Sequence, residues 1–330
     1  RIGFAATLLA ALLPAAAPDP AREALDLMAR GRHLEAKEVT GRALTALLGS
    51  ERRPDPAGRA RAFHLLHLYH QLARRCRDTL QGAAFLERLV RDHDLAGKAP
   101  ALADRAELLA MRLHKRTLRQ ERLQELTRRL GFIRRWQVIG PFDNERGQGV
   151  GIAYPPEKEI DLRGEYPGKR GRVKWREVDF TRRGGGVVDL GALMRPKEQV
   201  LAYAATAINL AEPADLLLKA GSDGALKVWV NGRSVLASDA RRPFRYDQDR
   251  VTIHLHKGPN RILVKCATQE GPFCFALRLC APDGSPRPGL EGKPFPRLLQ
   301  VAPEPGSAPA SPSPPGPLQL LADLHAQLDA

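Results

Sequence analysis

The chain has 330 residues, 43% of them apolar, which is ordinary for a globular protein and suggests two domains. Lys and Arg total 52 against 37 Asp and Glu, a formal charge of +15. That excess would draw the chain to acidic polymers, but no basic run is interleaved with aromatic residues. This argues against a single-strand nucleic-acid binder, and nucleic acid is not an expected partner.

The chain opens on Arg1, followed by an apolar run from Ile2 to Ala17 that ends in three alanines and is broken by Pro18. A basic residue, a short hydrophobic core and small residues at a cleavage site predict a signal peptide over residues 1–17. The expected location is therefore periplasmic or extracellular.

Residues 18–134 read as α-helical. Ala24, Leu25, Leu27 and Met28, then Leu34, Ala36 and Val39, recur at helical spacing on either side of Gly31. A polar break at 49–56 precedes a second amphipathic run with Phe63, Leu65, Leu66, Leu68, Tyr69 and Leu72, and helical segments follow around 83–90 and 101–130. His64, His67 and His70 stand three residues apart, which invites a metal-site reading. Each step of three turns the helix by roughly 300°, so the first and third diverge, and no carboxylate lies among them to complete a ligand set. The arginines between 112 and 135 read as a solvated helix face.

At Trp136-Gln137-Val138-Ile139-Gly140-Pro141-Phe142 the period changes from helix to strand, and residues 135–300 read as all-β. The glycines at 147, 149 and 151 lack the lysine and helix of a phosphate-binding loop. Leu226, Val228 and Val230 alternate with Lys227 and Trp229, and Asn231-Gly232 supplies a tight reversal. Val251, Ile253 and Leu255 alternate again before a turn at 257–260, and Ile262, Val264 and Cys266 return in phase. Two such hairpins predict a two-layer sandwich.

The phrases VWVNG and HLHKGPNRILVK resemble the galactose-binding-like jelly-roll, the sandwich found as the N-terminal sugar-binding domain of family 2 glycoside hydrolases. The phrase ALDLMARGRHLEAKEVTGRAL resembles a tetratricopeptide unit. The order of the two is similar to that of bacterial secreted multidomain proteins in which more helical repeats and a transglutaminase-like domain follow the sandwich. The expected fold class is thus multidomain α + β, a tetratricopeptide-like helical domain followed by a jelly-roll.

Four cysteines, at 76, 266, 274 and 280, form no C-x-x-C pair. With Cys266 and Cys274 on strands of opposite phase, free buried thiols are expected rather than a bridge. No nucleophile elbow and no H-E-x-x-H motif is present, so the expectation is a non-enzyme, at most the accessory region of a larger enzyme.

A sugar site wants an aromatic platform beside planar polar groups. Trp229 and Lys227 share the face opposite Val228, and Asp223, Asn231, Arg241, Arg242 and Tyr246 lie in the flanking loops. These seven are the candidate ligand-binding residues. The alternative is structural: Trp229 packs under the crossing that follows the hairpin, and Asp223 and Asn231 make the turns. Asp247 and Asp249 are candidates for a structural calcium; no other cofactor is expected. Residues 301–317, rich in proline, alanine and serine, read as a linker, and residues 318–330 as the start of a further helix. The expected function is a non-catalytic carbohydrate-binding or accessory module whose partner is a polysaccharide or cell-envelope glycan. The alternative function is a scaffold that holds a protein partner or supports a downstream enzyme domain.

Overall fold

The computed structural model describes residues 19–293 except 51, 118 and 183. The expected signal peptide, the linker and the last helix lie outside the described residues. The chain divides into two compact units between residues 126 and 127.

The first unit is helical. α1 (Pro20–Ala29), α2 (His33–Leu48), α3 (Pro56–Arg75), α4 (Thr79–Asp92), a single turn α5 (Leu95–Lys98) and α6 (Pro100–His114) follow in order, and α7 (Gln120–Arg129) contains the division. The sequence sets the starts of three of them. Proline occupies the first turn of α1, α3 and α6, where its missing N–H costs nothing, and Asp55 accepts a hydrogen bond from the Gly58 N–H at 2.6 Å. The segment expected to run from 101 to 130 is interrupted between α6 and α7. Successive helices pack in pairs, α1 on α2, α2 on α3 and α4 on α6. Leu44, Leu65, Leu66, Leu86, Ala106 and Leu109 fill the space between them. Small residues permit the approach, Gly82 lying against Ala73.

The three histidines of α3 are buried, and His67 Nε2 accepts from Arg105 Nε at 2.7 Å. Among the described residues no group of three potential ligands could hold a metal ion. A different polar cluster closes this unit. Glu87 accepts from Arg122 Nη2 at 2.6 Å and lies 2.7 Å from His114 Nε2. Burial by itself would raise the Glu87 carboxyl, but the bonds to His114 and Arg122 overrule it and hold the group down at about 2. A carboxyl depressed on folding stabilises the native state above its unfolded value of about 4.3 and stops doing so as pH falls through the folded value. Urea unfolding followed by helical circular dichroism should therefore show stability draining away between about pH 4 and about pH 2. In Glu87→Gln that window should be flatter, and an unchanged profile would show that Glu87 does not set it.

The second unit is a two-sheet antiparallel sandwich. Its strands are β1 (Arg135–Asp143), β2 (Glu165–Gly168), β3 (Gly171–Lys174), β4 (Arg176–Asp179), β5 (Val187–Asp189), β6 (Val200–Leu210), β7 (Ala214–Ser222), β8 (Ala225–Val230), β9 (Arg233–Ser238), β10 (Asp249–Leu255), β11 (Gly258–Thr268) and β12 (Cys274–Cys280). One sheet has the order β4-β1-β6-β11-β8-β9, the other β10-β7-β12-β5, while β2 and β3 form a separate hairpin. Trp136, Val138, Val228 and Val264 meet Leu218, Ile253, Phe275 and Leu277 between the sheets. β1 does not stop at Gly140-Pro141 as a turn would; its register shifts there and pairing resumes at Phe142.

The first predicted hairpin is present. β8 and β9 pair through Asn231 and Gly232, both at positive φ, 51° and 89°. The second is not a hairpin. β10 pairs with β7 in one sheet, whereas β11 pairs with β6 and β8 in the other, so residues 256–257 carry the chain across the sandwich. Alternation shows which side of a strand is apolar. It does not say which strand lies beside it, and here the two apolar faces look at each other across the core. Cys266 faces the inter-sheet core with its thiol 3.6 Å from the Cys274 carbonyl oxygen, and none of the four cysteines is in a disulfide.

A second apolar cluster covers the outer face of the larger sheet. Ile139, Phe142, Leu201, Tyr203 and Leu263 project there and are roofed by the excursion between β1 and β4, with Tyr154, Tyr166 and Trp175. No described helix is long and apolar enough to cross a membrane.

Candidate functional site

The outer face of β8 and β11 and the loops at one end of the sandwich enclose a half-open cleft of about 1000 Å³. Three segments build it. The floor comes from Asp223, Gly224, Ala225 and Lys227 at the start of β8 together with Ala267 and Thr268 at the end of β11. One wall is the turn that follows β1, with Arg146, Gly147, Val150 and Gly151. The other is the end of β9 and the crossing beyond it, with Asp239, Arg241 and Arg242.

Several polar side chains of the cleft are placed by hydrogen bonds. Asp223 accepts from the Phe244 N–H at 3.3 Å, and its partial burial pushes the carboxyl up from its usual value. Arg241 donates to Gln269, and Arg242 is held by Asp249 through paired bonds, one of 3.0 Å. Asn144 is buried, its amide donating to the Thr268 carbonyl at 3.1 Å. Lys227 Nζ donates to the Val150 carbonyl at 3.0 Å. Carboxylate, amide, ammonium and guanidinium thus converge on one space, a mixture that both donates to and accepts from hydroxyl groups.

The wall is anchored from beneath. Lys265, opposite Lys227 in the β11–β8 register, is 2% exposed. Its ammonium donates to Val150 O at 3.0 Å, Ile152 O at 2.7 Å and Glu157 Oε1 at 2.8 Å. Tyr203 donates its hydroxyl to the same Glu157 oxygen. Burial lowers the affinity of Lys265 for its proton and Glu157 works against that effect.

Of the seven residues expected to bind ligand, Asp223, Lys227, Arg241 and Arg242 line this cleft. The other three lie elsewhere. Trp229 does share the outer face with Lys227, but it is half-buried against the cluster around Leu263 and borders Pro156 to Ile160. Asn231 fixes its own turn, donating to Asn260 Oδ1 at 2.9 Å and accepting from the Arg261 N–H at 2.8 Å. Tyr246 packs on Phe132 and Phe244 and donates to the Gly185 carbonyl at 2.5 Å. No aromatic side chain lines the cleft among the described residues.

The calcium pair does not assemble. Asp247 is turned inward onto Arg278, with bonds of 2.9 and 2.6 Å, and Asp249 faces Arg242. Each carboxylate meets its own guanidinium, so the two are not left to share a cation. Asn144, Arg146, Thr268 and Gln269 are cleft residues that the sequence pattern did not mark. The Gly147-Gly149-Gly151 turn was the available signal, since glycine near a strand marks a place where the backbone makes close approaches.

No family model matches the chain, and no curated protein matches it. Among solved structures it is similar to the PA14 domain of the MpAFP antifreeze protein, at 20% identity over 26% of this chain and 45% of that one, with a TM-score of 0.24. An anti-sigma factor domain-containing protein from Clostridium clariflavum matches at 12% identity over 50% of this chain and 47% of that one, with a TM-score of 0.29. A family 35 carbohydrate binding module from Clostridium thermocellum matches at 18% identity over 27% of this chain and 75% of that one, with a TM-score of 0.21. The chain spans less than half the length of the first structures it matches.

Proposed function

We propose that the sandwich is a non-catalytic glycan-binding module of an exported protein and that the cleft over Asp223 and Lys227 is its site. The observation that supports this reading is the mixed lining. A polyol presents several hydroxyl groups, each able to donate and accept, and is held best where fixed carboxylates and amides stand beside fixed cations. Asp223 and Lys227 are both positioned by bonds to backbone, so little side-chain freedom is left to lose on binding. The helical unit, with its tetratricopeptide-like pairs, serves as the accessory part of the same exported protein.

The test is retention of the full chain by neutral arabinogalactan and xylan and by acidic polygalacturonate, at low and high salt. Asp223→Asn should weaken salt-resistant binding by about 1.5–3 kcal/mol, roughly ten- to hundredfold, because a charged acceptor is lost. Trp229→Ala should bind as the native chain does. The reverse pattern would move the site to the outer face of the β8–β9 hairpin. Binding that vanishes with salt and ignores Asp223→Asn would be basic charge meeting acidic polymer, and would end the proposal. Absence of binding to all three would favour the protein-interaction scaffold.

A further inference from the structure

Two lysines stand side by side on the outer face of the larger sheet, Lys227 on β8 and Lys265 on β11, opposite each other in register. Like charges so placed repel. The structure resolves the conflict through one shared acceptor, the Val150 carbonyl, which lies 3.0 Å from each ammonium. Their remaining donors are used very differently. Lys265 places its other two N–H groups on Ile152 O and Glu157, so all three are filled and nothing is left for a ligand. It is 2% exposed and does not line the cleft. Lys227 lines the cleft, and among the described residues Val150 is the one acceptor it reaches.

We infer that Lys265 is a positioning residue for the cleft: through the shared Val150 carbonyl it fixes where Lys227 presents its two remaining N–H groups to a bound glycan. The inference rests on the reading of the cleft as the glycan site. Lys265, with Glu157 and Tyr203 behind it, ties residues 150–157 to the centre of the sheet. The Val150 carbonyl is thereby held at a set height above β8, and Lys227 is drawn to it rather than swinging into solvent. A lysine side chain is long and freely rotating, so an ammonium without such a tether would spread over a wide arc and lose that freedom on binding.

The test compares the native chain with Lys265→Met and, in case that variant fails to fold, Glu157→Ala. The first readout needs no ligand: the rate at which an amine-reactive reagent labels Lys227. Release from Val150 should raise it by about fivefold in both variants, as expected for a side chain regaining rotamer freedom. The second readout is affinity for arabinogalactan and polygalacturonate. Lys265→Met should weaken it by about tenfold, and adding Lys227→Gln should cost no more than either change alone, since the two residues act through one contact. Unchanged labelling of Lys227, or losses that add, would overturn the inference. If the native chain binds neither polysaccharide, the glycan reading falls while the labelling rates still decide whether Lys265 positions Lys227.

Discussion

Replacing Arg278 by methionine should cost the sandwich about 3–5 kcal/mol, the usual penalty for removing one partner of a buried ion pair. Arg278 is fully buried on β12, on the outer face of the smaller sheet, stacked over Phe132 at 5.5 Å. It clasps Asp247 with two bonds, 2.9 and 2.6 Å, and reaches the Leu130 carbonyl at 3.3 Å. One side chain therefore holds three stretches of chain together: the entry to the sandwich, the β9–β10 crossing and the sheet. Without the guanidinium, the Asp247 carboxylate would remain buried with both of those bonds lost. Burial alone would raise that carboxyl, yet the charge and hydrogen bonds of Arg278 hold it well below the usual carboxylate range. A depressed carboxyl contributes its full stabilisation above its unfolded value of about 3.9, and the contribution drains away as pH falls toward the folded value. Urea unfolding at neutral pH should show the large loss. At low pH the difference between native and Arg278→Met chains should shrink, and Asp247→Leu combined with Arg278→Met should recover part of the stability. A loss below about 1 kcal/mol, the size expected of an exposed pair, would show the clasp to be unimportant.

The two sheets solve the same problem twice. Arg278 is paired in register with Lys219, as Lys265 is with Lys227, and in each case a loop brings an acid onto one of the two adjacent cations: Asp247 onto Arg278, Glu157 onto Lys265. This is also where the legibility of the sequence ends. The periods of Leu226, Val228 and Val230 and of Ile262, Val264 and Cys266 revealed strands and their core faces, and Asn231-Gly232 revealed a turn, because those features depend only on neighbours in the chain. Lysine and arginine at alternate positions mark only the face turned away from the core. Whether such a face is open or roofed depends on loops far away in the chain, and periodicity carries no information about them. For the same reason Asp247 resembled a surface ligand while it is an inward ion pair. Trp229 resembled an exposed platform, and it is half-covered by residues around Pro156. Part of the cleft was legible, in Asp223, Lys227, Arg241 and Arg242, because loops flanking a hairpin must lie near its ends. The wall opposite, from Asn144 to Gly151, was not, since it arrives from β1.

Gly221→Ala should produce the second large effect, and it should strike stability and binding together. Gly221 lies on β7 opposite Ala276 of β12, and a Cβ added there would overlap the carbonyl oxygen of Arg245 in the crossing above the strand. The obstacle is backbone, so no side-chain rotation relieves it. The crossing must lift, and it is fastened at neighbouring points by Gln248 accepting from the Ser222 N–H at 2.9 Å and by Asp223 accepting from Phe244. Overpacking of this kind costs about 3 kcal/mol. Because the same crossing presents Arg241 and Arg242 to the cleft, polysaccharide retention should fall along with the thermal midpoint. Gly271→Ala is the control. Gly271 sits in a loop, with φ of 89° and nothing within 4 Å of an added Cβ, so only a backbone strain of about 1–2 kcal/mol remains. It should lower stability modestly and leave retention intact. If Gly221→Ala behaves like Gly271→Ala, the crossing is not held against β7, and the cleft wall it forms cannot be the fixed surface that glycan recognition requires.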